Sequence, residues 1–398
     1  MAKLIDITGK ALSGEWGKDD ENGEGIPVIR TTNFTNEGIV NYNNVVKRKI
    51  EKKNIDEKYL RKGDIIIEKS GGSDKFPVGR VVYFDGDENT YLFNNFTGLL
   101  RVKNQDVWYP KYVFYSLFSN YKRGGTRNFE NKTTGLHNLK IDDYVSIYEI
   151  SNINKEEQIY ICKTLDSLYG IIKSRELEIQ LLDELVKARF VEMFGTIKKE
   201  ELLGNICEFV TVGIANSATH AYSDSGIPML RNQNIRENYL DDRDLVYIKP
   251  EFASKYESKK LKENDIIIMR TGYPGIACLV PKKYEGCQTF TTLIARLKPN
   301  NNPNYICSYI NSYFGKKFIE LEKVGVAQQN VGAKSLAKMP IKMAPQNLQD
   351  EFADFVHQID KSKVVVFNYI KNVAILLTIC SIINENTNGK MGRRLYDN

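Results

Sequence analysis

Histidine is scarce in this chain of 398 residues: His137, His220 and His357 are the only three. They lie far apart in sequence, which gives a Ser–His or Cys–His nucleophile pair weak support. The six cysteines (Cys162, Cys207, Cys278, Cys287, Cys307 and Cys380) form no Cys-x-x-Cys pair. No zinc site can be assembled from such spacing, and a reduced, cytoplasmic setting is expected. A Gly-x-Gly-x-x-Gly fingerprint and a Walker lysine loop are both missing. No two prolines are adjacent, which removes the Asn/Asp-Pro-Pro-Tyr signature of amino-methyltransferases. The longest apolar run, 373–383, contains Thr and Ser and is too short to cross a bilayer, so no membrane partner is expected. The mixed, polar first ten residues do not read as a secretory leader. A net charge of +6 with a pI near 8.7 is compatible with a polyanionic partner and does not establish one. Asp64, Glu68 and Lys69 lie close in sequence, but their spacing is wrong for a metal-nuclease triad. The corresponding later stretch has Met269 and Arg270 in place of the last two. A strand leading into a turn explains them better, and no catalytic or metal-binding residue is assigned.

What the chain does have is periodicity. From Lys155 to Phe194, apolar residues alternate in steps of four and three: Ile161, Leu165, Leu168, Ile172, Ile179, Leu182, Val186 and Met193. Only Arg175 and Arg189 interrupt that seam. Such a heptad pattern predicts a long helix that pairs with another, and roughly 38 residues at a rise of about 1.5 Å span about 57 Å. Phe352, Val356, Ile359, Val366, Ile370, Val373, Leu377 and Cys380 repeat the rhythm, with Lys363 as the exception. An ordinary amphipathic helix on a core is the plainer alternative for the first of them. Together they can close an antiparallel coiled coil that acts as a spacer.

The chain also repeats itself. Gly226-Ile227-Pro228-Met229-Leu230-Arg231 matches Gly25 to Arg30, and Asn234 matches Asn33. Leu261 to Ile268 matches Leu60 to Ile67 at the same offset, and Gly272 matches Gly71. Gly79 and Gly275, Arg101 and Arg296, Pro110 and Pro303, and Tyr112 and Tyr305 continue the correspondence across small insertions. Two blocks matching at one offset indicate a tandem duplication of a unit made of a globular domain followed by a helix. The segments 65–67 and 78–84 read as strands, and a short helix is expected after Pro110. The fold class expected is α+β: two pseudo-symmetric, strand-rich domains (1–150 and 197–345) separated by two long helices (151–196 and 346–398, the latter with a divergent tail).

The polar residues of the loops suit nucleic acid. After the buried strands come Lys69, Ser70, Lys75 and Arg80 in the first copy, and Arg270, Thr271 and Tyr273 in the second. A further pair of loops carries Arg123, Thr126, Arg127 and Asn128, and Gln328, Gln329 and Asn330. Arg can read guanine, and Asn or Gln adenine, through bidentate hydrogen bonds. Solvated turns would have the same composition. Arg30 with Asn33, and Arg231 with Asn234, recur in both copies and suit either DNA contact or a buried structural network. The framework matches while the loops differ, as expected of two domains reading two different half-sites.

With the duplication, the heptad helices and the Gly-Ile-Pro-Val-Ile-Arg and Gly-Asp-Ile-Ile-Ile blocks in view, the chain resembles the specificity (S, HsdS) subunit of type I restriction-modification systems, from about Leu4 to Lys363. The resemblance implies a non-catalytic subunit whose two target-recognition domains bind the halves of a bipartite sequence in double-stranded DNA. It implies two adenine methyltransferase subunits docked on the helices and, in complexes that restrict, restriction subunits. S-adenosylmethionine would belong to the methyltransferase, and ATP and Mg to the restriction subunit, with no cofactor in this chain. Arg175, Arg189 and Lys363 become candidates for methyltransferase contact, though a charged seam position can simply fix register. The competing reading is a non-catalytic coiled-coil adaptor with two protein-binding modules.

Overall fold

A computed structural model describes residues 1–52, 55–133, 136–215, 219–325 and 329–386, with side chains left aside at 132, 133, 136, 219 and 374–386. The chain divides into two compact units, Met1–Lys173 with Ile370–Asn398, and Ser174–Tyr369.

The first unit is organised by Ile65–Glu68, a strand buried along its whole length. Its antiparallel sheet runs Leu12–Ser13, Thr97–Leu100, Ile65–Glu68, Val81–Tyr83. Successive side chains of a strand point to opposite faces, so an unbroken apolar run needs cover on both. Ile65 and Ile67 pack with the helix Pro110–Lys122 through Val113, Leu117 and Phe118. Ile66 turns to the other side, among Ile29, Phe84, Phe93 and Leu99. A second sheet lies there, in the order Lys18–Asp19, Val46–Lys49, Ile26–Ile29, Leu92–Phe93, with only the last pairing parallel. Pro27 is tolerated because the parallel neighbour begins at Val28, which leaves Pro27 bonded on one side alone. Ala2–Lys3 pairs with Glu149–Ile150 and closes the domain where the long helix Lys155–Phe194 begins.

The second unit repeats these two four-stranded sheets in the same order. Its first sheet runs Cys207–Val212, Leu293–Leu297, Ile266–Ile268, Ala277–Leu279. Its second runs Tyr222–Ser223, Val246–Ile248, Ile227–Arg231, Gln288–Phe290, and again the last pairing alone is parallel. Ile266 and Ile268 face one apolar cluster and Ile267 the other. Glu200–Leu202 pairs with Pro340–Lys342 just ahead of the second long helix, Gln346–Asn386.

Within the second unit the two long helices run antiparallel. Arg189 meets Glu351 (3.1 Å), Asp183 meets Lys363 (2.5 Å) and the Arg175 guanidinium lies 5.3 Å from the Tyr369 ring centre, so one helix descends as the other climbs. The seam departs from the heptad near Phe194. Val186, Phe190 and Phe194 are buried in steps of four, while Met193 is only partly covered. A straight helix at 3.6 residues per turn drifts off a 3.5 repeat, and here the drift rotates Phe190 and Phe194 onto Tyr305 of the domain and Phe352 of the second long helix (ring centres 4.6–5.7 Å apart). Leu377 and Cys380, expected in the same seam, lie outside the described side chains. Among the described residues no helix is long and apolar enough to cross a membrane.

Candidate nucleic-acid interface

The residues that recur in both copies build turns. The Arg30 N–H donates to Asn33 Oδ1 (3.1 Å), and Asn33 Nδ2 donates to the carbonyls of Asn41 and Asn43 (3.0 and 3.4 Å). Arg231 and Asn234 do the same with the carbonyls of Asp241 and Arg243 (3.0, 3.0 and 3.3 Å). Arg30 reaches the Asn44 carbonyl and Arg231 that of Asp244. Asn33 and Asn234 are buried, so their amides are spent on the backbone, and the geometry favours the structural reading of these four residues. Both arginines keep a buried Nε with no acceptor.

In the first unit the two candidate loops are one surface. Ser70–Gly72 is a short strand paired with Leu136–Leu139, itself paired with Glu130–Thr133, where the sequence suggested only a chain turn. The exposed Arg127 donates to the carbonyls of Asp74 and Lys75 (3.0 and 3.4 Å), and Lys75 is exposed as well. Beneath them, Glu130 accepts the Val78 N–H (2.9 Å) and holds His137 at 3.0 Å, and His137 lies 3.5 Å from Asp74. This buried pair fixes the 73–78 turn from below. Arg123 and Asn128 are exposed on the neighbouring segment.

Other named residues face inward. Thr126 is buried against Gly79. Arg80 donates to the carbonyls of Thr31 and Phe34 (2.9 and 3.2 Å) and lies 3.5 Å from Glu68. Burial pushes the Glu68 carboxyl above its ordinary value, against the opposing pull of Arg80. Lys69 donates to Ser13 Oγ (2.8 Å), and burial holds its ammonium below the ordinary lysine range. Asp64 is taken by Arg101 at 2.6–2.7 Å. The three residues considered for a nuclease triad are therefore each engaged with a different group.

The second unit also brings its loops together. Thr271 bridges to Asn330, the Val331 N–H donates to the Arg270 carbonyl (3.1 Å), and Asn330 exchanges both backbone bonds with Val324 (2.9 Å each). Asn232, which the sequence reading passed over, ties this surface to the Arg231 turn by donating to Thr271 Oγ1 (2.7 Å). Arg270 has a buried Nε with no acceptor, Gln329 is half-buried and Tyr273 stands well out in solvent. Gln328 lies outside the described residues.

On the long helices the three candidate contact residues are engaged in pairs. Arg175 bonds Glu178 (2.5 Å), Arg189 bonds Glu192 (2.9 Å), and Lys363 lies 3.7 Å from Asp360 besides its bond to Asp183. Outward-facing apolar residues stand beside them: Leu177, Leu181 and Leu185 at four-residue spacing, and Val364, Val365 and Phe367. Among the described side chains, five cysteines are free and buried. Burial pushes the thiols up to about 12 at Cys162, Cys207 and Cys278 and to about 11 at Cys287, where they are unreactive near neutral pH.

The comparisons with known proteins agree with this organisation. The family model described as the type I restriction modification DNA specificity domain matches residues 2–183 and again 199–373. No curated protein matches the chain in sequence. Among solved structures, one describing complex assembly and conformational transition of the type I R-M system contains a chain of similar fold, at 12% identity, TM-score 0.59 and 96% coverage of both chains. The type I restriction-modification S subunit from M. genitalium is similar at 14% identity and TM-score 0.51, over 95% of this chain and 94% of that one. The chain belongs to the type I restriction-modification DNA specificity family and carries its domain twice.

Proposed function

We propose that this chain is the DNA-recognition subunit of a type I restriction-modification complex, in which each copy reads one half of a bipartite target in double-stranded DNA. The observation that carries the reading is the contrast between the copies. Their two four-stranded sheets share strand order and the Arg–Asn turn recurs, while the paired loops differ: Lys75, Arg123, Arg127 and Asn128 in one, Arg270, Thr271, Tyr273, Gln329 and Asn330 in the other. A constant frame with variable polar loops is what reading two half-sites requires. The chain supplies no catalytic step. Two methyltransferase subunits would bring S-adenosylmethionine and flip the target adenine out of the stack, and restriction subunits, where encoded, would bring ATP and Mg. The exposed Leu177, Leu181 and Leu185 and Val364, Val365 and Phe367 are the surface assigned to the methyltransferase. Arg175, Arg189 and Lys363 would instead hold the helices in register beside it.

The test is a methylome from cells with and without this chain, in the presence of its methyltransferase. A split motif bearing N6-methyladenine only when the chain is present is expected; identical methylomes would favour a protein-binding adaptor. Leu181→Glu should abolish capture of the methyltransferase by the full chain, and unchanged capture would remove the helices from the docking surface.

A further inference from the structure

Both copies hold an aromatic–proline pair in the turn that follows the central strand, one residue further from the closing glycine in the first copy than in the second. In the first unit it is Phe76-Pro77, three residues before Gly79; in the second it is Tyr273-Pro274, immediately before Gly275. The two glycines fix the correspondence physically. Gly79 has φ +99° and a Cβ there would lie 2.9 Å from Thr126; Gly275 has φ +101° and a Cβ there would lie 2.5 Å from Ile319. Each turn is thus pinned to its domain by a residue that cannot carry a side chain. What each turn presents is solvent-facing: Phe76 is 59% exposed and Tyr273 is 77% exposed. One exposed aromatic is ordinary, but two in corresponding turns, within loops that otherwise differ, are not explained by packing.

The turns are held rigid. The Ser73 N–H donates to the Phe76 carbonyl (2.7 Å) and the Phe76 N–H to Ser73 Oγ (3.1 Å), while Glu130 and Arg127 anchor either side. The Gly275 N–H donates to the Met269 carbonyl (2.9 Å), and Arg270 and Thr271 are tied to 330–331. Proline after the aromatic restricts the aromatic's backbone to extended conformations and adds an apolar edge. Each turn carries a basic residue: Lys75 Nζ lies 5.5 Å from the Phe76 ring centre, with Arg127 on the Lys75 carbonyl and the exposed Asp74 beside it, and the half-buried Arg270 precedes Tyr273 by three residues. A rigid aromatic tip on a loop that also carries a basic side chain fits a polyanion whose interior is a stack of flat rings.

We propose that Phe76 and Tyr273 are matched wedges, each stacking against a base of bound duplex DNA within the half-site its own domain reads. The wedges hold the duplex by a sequence-tolerant contact while the neighbouring loops read base edges. The proposal rests on the DNA-recognition reading above.

Once the target is known, 2-aminopurine placed in turn at half-site positions other than the methylated adenine reports local unstacking. Titrated with the full chain assembled with its methyltransferase, the unaltered protein should raise fluorescence at one position in each half-site. Phe76→Ala should remove the signal in one half-site only, Tyr273→Ala in the other only, and each should weaken binding about 5- to 100-fold. Phe76→Tyr and Tyr273→Phe should restore both readouts. Alanine variants that bind with unchanged affinity and unchanged fluorescence would overturn the wedges while leaving DNA recognition standing. Loss of methyltransferase capture with intact DNA binding would equally overturn them, because the tips would then be protein contacts. Absence of specific duplex binding by the unaltered complex would remove the DNA-recognition reading and the wedges with it.

Discussion

Asp64 and Asp265 carry more of each domain than their place in a turn suggests. Asp64 accepts the Arg61 N–H (2.7 Å) and a two-pronged contact from Arg101 (2.7 and 2.6 Å), and Arg101 goes on to the carbonyls of Glu57 and Tyr59. Asp265 repeats this with Lys262 and Arg296 (2.8, 2.8 and 2.6 Å), and Arg296 reaches the Lys260 carbonyl. Both carboxylates are 2% exposed, so each has exchanged water for charge-assisted bonds that fasten the start of the central strand to its neighbour. Asp64→Ala would leave Arg101 Nε and the Arg61 N–H without their acceptor and remove the counter-charge of the guanidinium, which keeps only the Glu57 and Tyr59 carbonyls. Because the arginines keep some contact with solvent, a loss of about 2–4 kcal/mol is expected for Asp64→Ala, and a similar loss for Asp265→Ala. Denaturant unfolding of the full chain measures both, and a cost below about 1 kcal/mol would mean that water replaces the arginine. The sequence displayed this pair as residues recurring at fixed places, Asp64 with Asp265 and Arg101 with Arg296, but recurrence does not say which residues touch.

At the scale of the element, the long helices are tied to their domains by a glutamine. Gln158 accepts the Tyr109 N–H (2.8 Å) and donates to the carbonyls of Val107 and Ile153 (3.0 and 2.9 Å). Gln349 accepts the Asn302 N–H (3.2 Å) and donates to the Ala344 carbonyl (2.9 Å). Each is buried and stitches the first turn of a long helix to the loop before a domain helix. Both helices were legible from apolar spacing, which is a property of a helix alone. The steps of four that bury Phe190 and Phe194 were not, because they depend on which surface the helix meets. The strand Ser70–Gly72 was hidden in the same way: Ser-Gly-Gly reads as a turn until its partner 136–139 is placed beside it. The helix pairing in the second unit should accordingly draw its stability from aromatic burial rather than from the charges that interrupt the seam. Phe190→Ala is expected to cost about 3–5 kcal/mol. Lys363→Ala, at a partly exposed pair, should cost about 0.2–1 kcal/mol. Denaturation midpoints of the two variants test the order, and a reversed order would make the ion pair the register-setting contact.

For the whole molecule, duplication matters through what the copies share and what they do not. The shared part was legible because two blocks matched at one offset, and the matching orders of the two four-stranded sheets bear it out. The loops were legible only as polar segments, since their approach to one another depends on sheet pairing. If both copies engage one duplex, their contributions to binding must combine. Lys75, exposed in the first unit, and Arg270, beside Tyr273 in the second, belong to separate loop surfaces, so their effects should add. Each phosphate neutralised by a lysine or arginine releases condensed counterions, so binding falls with salt at a slope set by the number of such contacts. Lys75→Ala and Arg270→Ala are each expected to lower that slope by about 1, and the double variant by about 2. Titrations of the complex at several salt concentrations measure the slopes. Equal slopes for one single variant and the double would mean that only one copy touches the backbone, and a molecule built from two readers would then be using one of them.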